Sequence, residues 1–313
     1  MKIGFFADGP WAHRAFDNLL ADNHFQVSFV VPRYENQDSY LKAKSFEHDI
    51  PFLTAKNVNS PDFINDLKAF KAELFVSLSF DQIIKEPLRQ SAPKGFINCH
   101  AGALPFYRGR NVLNWAIING ESQFGVTVHY VDAGIDTGDI IVQDFVLIEA
   151  SDTYETVLKK AHEQCPITLL KALKLIYKNK VERIPQNSIH PLGFYCSRRK
   201  PGDEWINWQS NSKQIHNFIR GIGLPGPCGR TILNGNSEWA ILSSELIEMS
   251  PEYIDVPGRI VGKDPTGVYV KTEDTVIKLK KVDRIEQDGQ IAKAHQIPNW
   301  PIGAQLSSQG NQK

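Results

Sequence analysis

The chain is short of cysteine, of net charge and of long apolar runs, and each shortage removes a class of function. Only four of its 313 residues are cysteine (Cys99, Cys165, Cys196 and Cys228), and no two share a C-x-x-C spacing. That argues against a zinc knuckle or a dithiol redox pair, and no metal site is expected. Scattered thiols in a chain of this size fit a reducing compartment. Neither sign of charge is in excess, because 35 Lys and Arg balance 35 Asp and Glu. Chains that bind tRNA or DNA usually carry a basic excess or stripe, so the balance disfavours a nucleic-acid partner. No apolar run approaches the roughly 18 residues of a membrane span, so no membrane insertion is expected. The opening stretch, Met1–His13, has one lysine and an apolar run that stops at Asp8. It is too short for a secretory leader, which predicts a cytoplasmic protein. The dinucleotide fingerprint G-x-G-x-x-G is missing where it would fall, since the chain reads Ala7-Asp8-Gly9-Pro10 there. A dehydrogenase is therefore disfavoured.

What is present is an ordinary globular composition, 42% hydrophobic and 22% charged, long enough for two domains. Strand-like runs at Lys2–Ala7, Gln26–Val31, Ala72–Ser77 and Gly95–Cys99 alternate with helical patterns at Trp11–Leu20, Tyr40–His48 and Pro61–Phe70. This alternation predicts an α/β fold, a Rossmann-like and mostly parallel sheet with helices on both faces. A helix over Asn111–Asn119, strands over Gly125–Val131 and Asp139–Val146, and a long helix over Tyr154–Tyr177 complete the pattern. Prolines, glycines and the basic turn Arg198-Arg199-Lys200 then mark an exposed connector. Beyond it come a helix, Ser212–Arg220, with Ser212 as its N-cap, and several short β-like segments. They predict a small OB-like β-barrel. The expected division is a catalytic domain at 1–185, a linker at 186–203 and a C-terminal domain at 204–313, with a polar tail fraying from Ile302.

The chemistry concentrates in Phe96–Gln143. Asn98 and His100 sit one residue apart at the end of an apolar strand, where open α/β sheets bind ligands. Asp136 follows in a glycine-flanked turn, Gly134-Ile135-Asp136-Thr137-Gly138. An amide that can hold an oxyanion, an imidazole that can shuttle a proton and a carboxylate that can favour the imidazolium are what acyl transfer to an amine requires. On residue type alone Asp132 and Asp139 rival Asp136, and the other histidines, such as His129 and His162, read as structural.

These residues resemble the formyltransferases that use 10-formyltetrahydrofolate. Asn98-Cys99-His100 matches that family's Asn-x-His, and Leu104-Pro105-Phe106-Tyr107-Arg108-Gly109 matches its Leu-Pro-x-Tyr-Arg-Gly segment. Gly125-Val126-Thr127 and Asp136-Thr137-Gly138-Asp139 match later landmarks, and similarity extends over nearly the whole chain. The pattern is most similar to the branch acting on UDP-4-amino-4-deoxy-arabinose and other amino-sugar nucleotides; the methionyl-tRNA formyltransferases are also similar. Where the family usually has Gly-Ser-Leu-Leu-Pro after the histidine, this chain has Ala101-Gly102-Ala103-Leu104-Pro105. The resemblance implies catalytic roles for Asn98, His100 and Asp136, with Asp136 chosen over its rivals. It also implies folate contacts from Gln82, Ile83, Ile84, Arg110, Asp132, Ala133, Gly134 and Ile135, and acceptor contacts from Gly102 and Tyr107. The co-substrate would be 10-formyltetrahydrofolate and the acceptor a nucleotide-linked amino sugar for surface polysaccharide synthesis, with a homodimer as the candidate assembly.

Overall fold

The structure is a computed structural model that describes residues 1–308. Its contacts group into two compact units. The first comprises Met1–Val112, Gln123–Leu147 and Lys159–Ser197; the second comprises Leu113–Ser122, Ile148–Leu158 and Arg198 onward.

The first unit is built on strands β1 (Lys2–Ala7), β2 (Gln26–Val31), β3 (Leu74–Leu78), β4 (Phe96–His100), β6 (Gln123–Tyr130) and β7 (Ile140–Leu147), with the short β5 (Arg108–Gly109) and β8 (Tyr195–Cys196) paired apart from them. The six long strands form one sheet in the order β2-β1-β3-β4-β6-β7. The first four are parallel, and β6 runs antiparallel to both of its neighbours, β4 and β7. The expected mostly parallel α/β sheet is present, with an antiparallel edge. Helices α1 (Pro10–Ala21), α2 (Ser39–Glu47), α3 (Pro61–Leu67) and α4 (Glu86–Arg89) connect its early strands. Helix α5 (Val112–Ile118) falls almost wholly in the second unit, while α6 (Tyr154–Tyr177) from Lys159 on and the single turn α7 (Gln186–Ile189) belong to the first.

One face of the parallel strands carries an aromatic cluster. Phe6 is fully buried, with ring centroids of Phe96, Phe75, Phe80 and Phe29 at 5.1, 5.4, 5.7 and 5.9 Å. Phe75 and Phe96 are register partners on β3 and β4. Side chains on one face recur every second residue. Phe96 is therefore followed on that face by Asn98 and His100, so the apolar floor leads into the polar rim.

In the second unit, helix α8 (Ser212–Ile222) packs on an antiparallel sheet of β9 (Gly229–Leu233), β10 (Ser237–Leu246), β11 (Ile260–Asp264), β12 (Gly267–Lys271), β13 (Val276–Arg284) and β14 (Leu306–Ser307). The order is β11-β12-β13-β10-β9-β14, the small β module the sequence predicts. Two details differ from expectation. The cap of α8 is Asn211 rather than Ser212: Asn211 accepts from the Gln214 backbone N–H at 2.8 Å, and the Gln214 side chain accepts in return from Asn211 N–H at 3.2 Å. This reciprocal box satisfies two helix-end donors, which a serine one position later would not do. The chain after Ile302 is not uniformly frayed, because Leu306 is buried and β14 pairs with β9. The last five residues of the expected tail lie outside the described residues.

Removing the Phe6 ring empties the centre of the aromatic cluster. Phe6→Ala is expected to lower the unfolding free energy by about 3–5 kcal/mol in urea titration. A loss below about 1 kcal/mol would contradict the packing described.

Candidate active site

Register sets the site. Ser77 on β3 pairs with Asn98 on β4, Asn98 pairs with His129 on β6, and His100 pairs with Thr127. Paired residues point to one face, so Ser77, Asn98, His100, Thr127 and His129 share a surface. The loop after β6 then brings Asp136 over that surface. Its backbone is left-handed (φ 55°), a conformation that aspartate tolerates better than most residues.

Both oxygens of Asp136 are engaged. Oδ2 accepts from Gly109 N–H at 2.9 Å and lies 3.7 Å from His100 Nδ1. Oδ1 lies 3.5 Å from both His129 Nε2 and Asn98 Nδ2. Burial alone would raise this carboxyl's pKa. The His100 charge, the His129 contact and the Gly109 N–H outweigh burial and hold it well below the ordinary 3.8. Asp136 is therefore ionised at any working pH. Its depressed folded pKa contributes stability that is present above the ordinary carboxylate value and lost as pH falls toward the folded one.

The hydrogens on the two imidazoles follow from their carbonyl partners. His100 Nε2 is 2.7 Å from the Tyr107 carbonyl oxygen, which can only accept, so Nε2 carries hydrogen and Nδ1 faces Asp136. His129 Nδ1 is 2.8 Å from the Tyr130 carbonyl, which leaves Nε2 facing the Asn98 amide at 3.3 Å. Ser77 Oγ donates to Asn98 Oδ1 at 2.7 Å, and the opposite amide orientation would aim that oxygen at the Asp136 carboxylate. The Asn98 NH₂ group therefore points into the cluster.

Glycines make the close approaches possible. A Cβ on Gly102 would sit 2.4 Å from the Tyr107 carbonyl oxygen and 2.5 Å from His100 Nε2, on top of the hydrogen bond between them. Gly109 has φ 92°, and a Cβ there would meet Cys196 O at 2.7 Å. Thr127 donates to Gly102 O at 2.7 Å, while Gln143 Nε2 reaches Thr127 Oγ1 at 2.7 Å and Leu104 O at 2.9 Å, bracing the loop that carries these glycines.

The structure thus brings together Asn98, His100 and Asp136, with Gly102 and the Tyr107 carbonyl against His100. Tyr107 itself is buried, its ring edge-on to Phe194. Neither rival acid reaches His100 in this way. Asp132 closes its own turn by accepting from Gly134 N–H and the Thr137 hydroxyl. Asp132, Ala133, Gly134 and Ile135 form the exposed outer part of the Asp136 loop. Arg110 is exposed, and its N–H donates to Cys196 O at 3.3 Å. Gln82 binds the 55–58 segment, accepting from Val58 N–H and donating to Ala55 O, while the Ile83 carbonyl accepts from Asn59. Ile84 is buried and Ile83 exposed.

A cleft of about 830 Å³ lies at the amino end of β4, lined by residues including Arg89, Lys94, Phe96, Tyr130, Asp132 and Arg183. Of the sequence-predicted residues only Asp132 lines it, and the Asn98–His100–Asp136 cluster does not. Distances around Asp136, rather than cavity size, mark the chemistry. Among the described residues no group of three or more His, Cys, Asp or Glu is arranged to hold a metal ion.

Residue type alone missed His129. Its place opposite Asn98 becomes visible only once β4 and β6 are paired in register, and that pairing was the one available signal.

An α/β sheet whose carboxyl rim presents an amide, an imidazole and a buried carboxylate is the framework of a group-transfer enzyme. The chain belongs to the formyl transferase family: the profile described as "Formyl transferase" matches residues 1–173, and "Formyl transferase, C-terminal domain" matches 198–298. It is an enzyme of the formyltransferase class. It is similar to the methionyl-tRNA formyltransferase of Desulforamulus reducens, 33% identical over 291 residues and 90% of each chain. It is also similar to the bifunctional polymyxin resistance protein ArnA of Wigglesworthia glossinidia brevipalpis, 35% identical over 76% of this chain and 36% of that longer protein. Among solved structures, an N-formyltransferase from Helicobacter canadensis, in complex with folinic acid and dTDP-3-aminofucose, superposes with a TM-score of 0.67 at 25% identity, covering 90% of this chain and 99% of that one.

Gly102→Ala displaces the His100–Tyr107 contact without touching the aromatic core. Formyl transfer is expected to slow about 100-fold, the scale of a 1 Å misplacement of a catalytic group, with the melting temperature within a few degrees of the parent. Unchanged turnover would contradict the packing around His100.

Proposed function

We propose that this enzyme moves a formyl group from 10-formyltetrahydrofolate to the amine of a nucleotide-linked amino sugar. The convergence of Asn98, His100 and Asp136 within hydrogen-bonding or ion-pairing reach carries the chemical half of this reading. The neutral amine attacks the formyl carbon, a C–N bond forms and the carbonyl oxygen takes up negative charge. The Asn98 NH₂, oriented by Ser77, donates to that oxygen, a contact typically worth about 2.7–4 kcal/mol in the transition state. His100 Nδ1 takes the proton shed by the attacking nitrogen, and Asp136 stabilises the resulting imidazolium. The bond from the formyl carbon to the folate nitrogen then breaks, that nitrogen gains a proton, and a formamide and tetrahydrofolate leave.

The sugar-nucleotide acceptor is supported by the balanced charge of the chain and by the likeness to the Helicobacter canadensis enzyme. On this reading the outer Asp136 loop and the Gln82–Ile84 segment contact the folate, with Arg110 beside them. Residues 1–185 form the catalytic domain, and the β module of 204–313 an appended domain of the same cytoplasmic enzyme. The relatives named methionyl-tRNA formyltransferase favour a second acceptor, the aminoacyl end of a tRNA.

The test is product formation from 10-formyltetrahydrofolate with dTDP-3-aminofucose, UDP-4-amino-4-deoxy-arabinose and methionyl-tRNA in parallel. Turnover of at least one sugar nucleotide is expected, reduced by about 100-fold or more in His100→Ala, the usual scale for loss of a general acid–base. Turnover of methionyl-tRNA alone, falling steeply with added salt, would overturn the sugar reading in favour of the tRNA one. Full activity of the His100 variant would overturn the chemistry.

A further inference from the structure

Between residues 185 and 196 the sequence looks like a connector, yet this stretch is tied into the site. Tyr195–Cys196 pairs with Arg108–Gly109 as a two-stranded ladder. Gln186 is only 3% exposed, and its side chain uses both of its poles. Its Oε1 accepts from Arg108 Nε at 3.0 Å and Nη2 at 2.7 Å. Its Nε2 donates to the carbonyl oxygens of Asp136 and Gly138, each at 2.8 Å. Two donors and the acceptor oxygen are thus fully engaged, which is the condition for a buried amide to fix geometry rather than weaken it.

The segments that Gln186 joins are those that meet at the reacting carboxylate. Gly109, next to Arg108, donates its N–H to Asp136 Oδ2. Asp136 holds a left-handed backbone, which persists where surrounding contacts over-determine it, and Gln186 supplies one of those contacts at the Asp136 carbonyl itself. We infer that Gln186 is a positioning residue for formyl transfer. It clamps the Asp136 turn to the Arg108–Gly109 strand, so that the carboxylate stays within 3.7 Å of His100 Nδ1. The inference rests on the catalytic reading of His100 and Asp136 given above.

Arg108 complicates a simple truncation. It is buried and makes no ion pair with Asp or Glu among the described residues, so Gln186→Met would take away two of its hydrogen bonds and leave its charge to the Leu192 carbonyl and the Tyr195 ring. Gln186→Glu separates the two roles. It keeps an acceptor for Arg108, and indeed strengthens that pair, while it removes the donors to Asp136 and Gly138. A residue that only supports Arg108 would tolerate this change. A positioning residue would not.

The experiment compares the parent, Q186E, the double variant R108M/Q186M and D136N. Formyl transfer is measured with 10-formyltetrahydrofolate and dTDP-3-aminofucose, and His100 ring ¹⁵N spectra are recorded without acceptor. Q186E is expected to stay folded, with kcat down about 10- to 100-fold, the scale of a catalytic group moved by a fraction of an ångström to one ångström, and KM changed by less than about threefold. R108M/Q186M should show the same loss of kcat while still folded. The His100 resonances of Q186E should move toward their positions in D136N. An inactive D136N beside a Q186E with full kcat and parent-like His100 resonances overturns the positioning role alone. A fully active D136N overturns the catalytic reading and the positioning role with it. A parent without turnover overturns the sugar acceptor, and the ¹⁵N comparison then decides the role of Gln186.

Discussion

The site depends on one shared carboxylate. Asp136 turns one oxygen toward His100 and the other toward His129 and Asn98, so a single charge sets the electrostatics of two imidazoles and an amide. Taking a carboxylate out of water is costly unless it is paired and hydrogen-bonded. Here the cost is offset by the Gly109 N–H and the neighbouring rings, which keep the group ionised despite burial. An anion held this way polarises its neighbours more strongly than one in water would, because the surroundings screen it less.

Apart from His129, seven residues away, the groups that fix Asp136 come from chain segments far from it in sequence. β4 supplies Asn98 and His100, and β6 supplies His129 in register. The loop through Gly102 and Tyr107 locks the His100 ring by its Nε2–H, and the Arg108–Gly109 strand delivers a main-chain donor. The aromatic cluster around Phe6 supports β3 and β4 from within the same face, so a stable apolar floor and a precise polar rim are consecutive parts of the same strands. Asn98 and His100 sit on β4 and Asp136 on the loop after β6, so the rigid sheet positions both the strand-borne groups and the loop that carries the acid.

Much of this was legible in the sequence, and what escaped it has a common cause. The strand–helix alternation points to the α/β sheet, and residue type and spacing single out Asn98 and His100, whereas the choice of Asp136 over Asp132 and Asp139 came from the family resemblance; the structure brings these three side chains together. His129 escaped because a histidine within a strand acquires meaning only from its partner strand, and register is a tertiary fact. Gln186 escaped because a proline-rich stretch reads as a connector until Tyr195–Cys196 is seen to pair with Arg108–Gly109. The cap of α8 was misplaced by one residue because Asn211 and Ser212 are both good caps, and only the reciprocal bond from Gln214 distinguishes them. The tail after Ile302 was expected to fray on polarity, yet the burial of Ala304 and Leu306 fastens part of it to the sheet.

The direct measurement of the central arrangement is the protonation pattern of the His100 ring by ¹⁵N NMR across its titration. If Asp136 and the Tyr107 carbonyl hold the ring as described, Nε2 carries hydrogen throughout and Nδ1, facing the carboxylate, is the nitrogen that gains and loses the proton. A neutral ring with hydrogen on Nδ1 and a bare Nε2 would contradict this arrangement, and with it the proton path on which the chemistry depends.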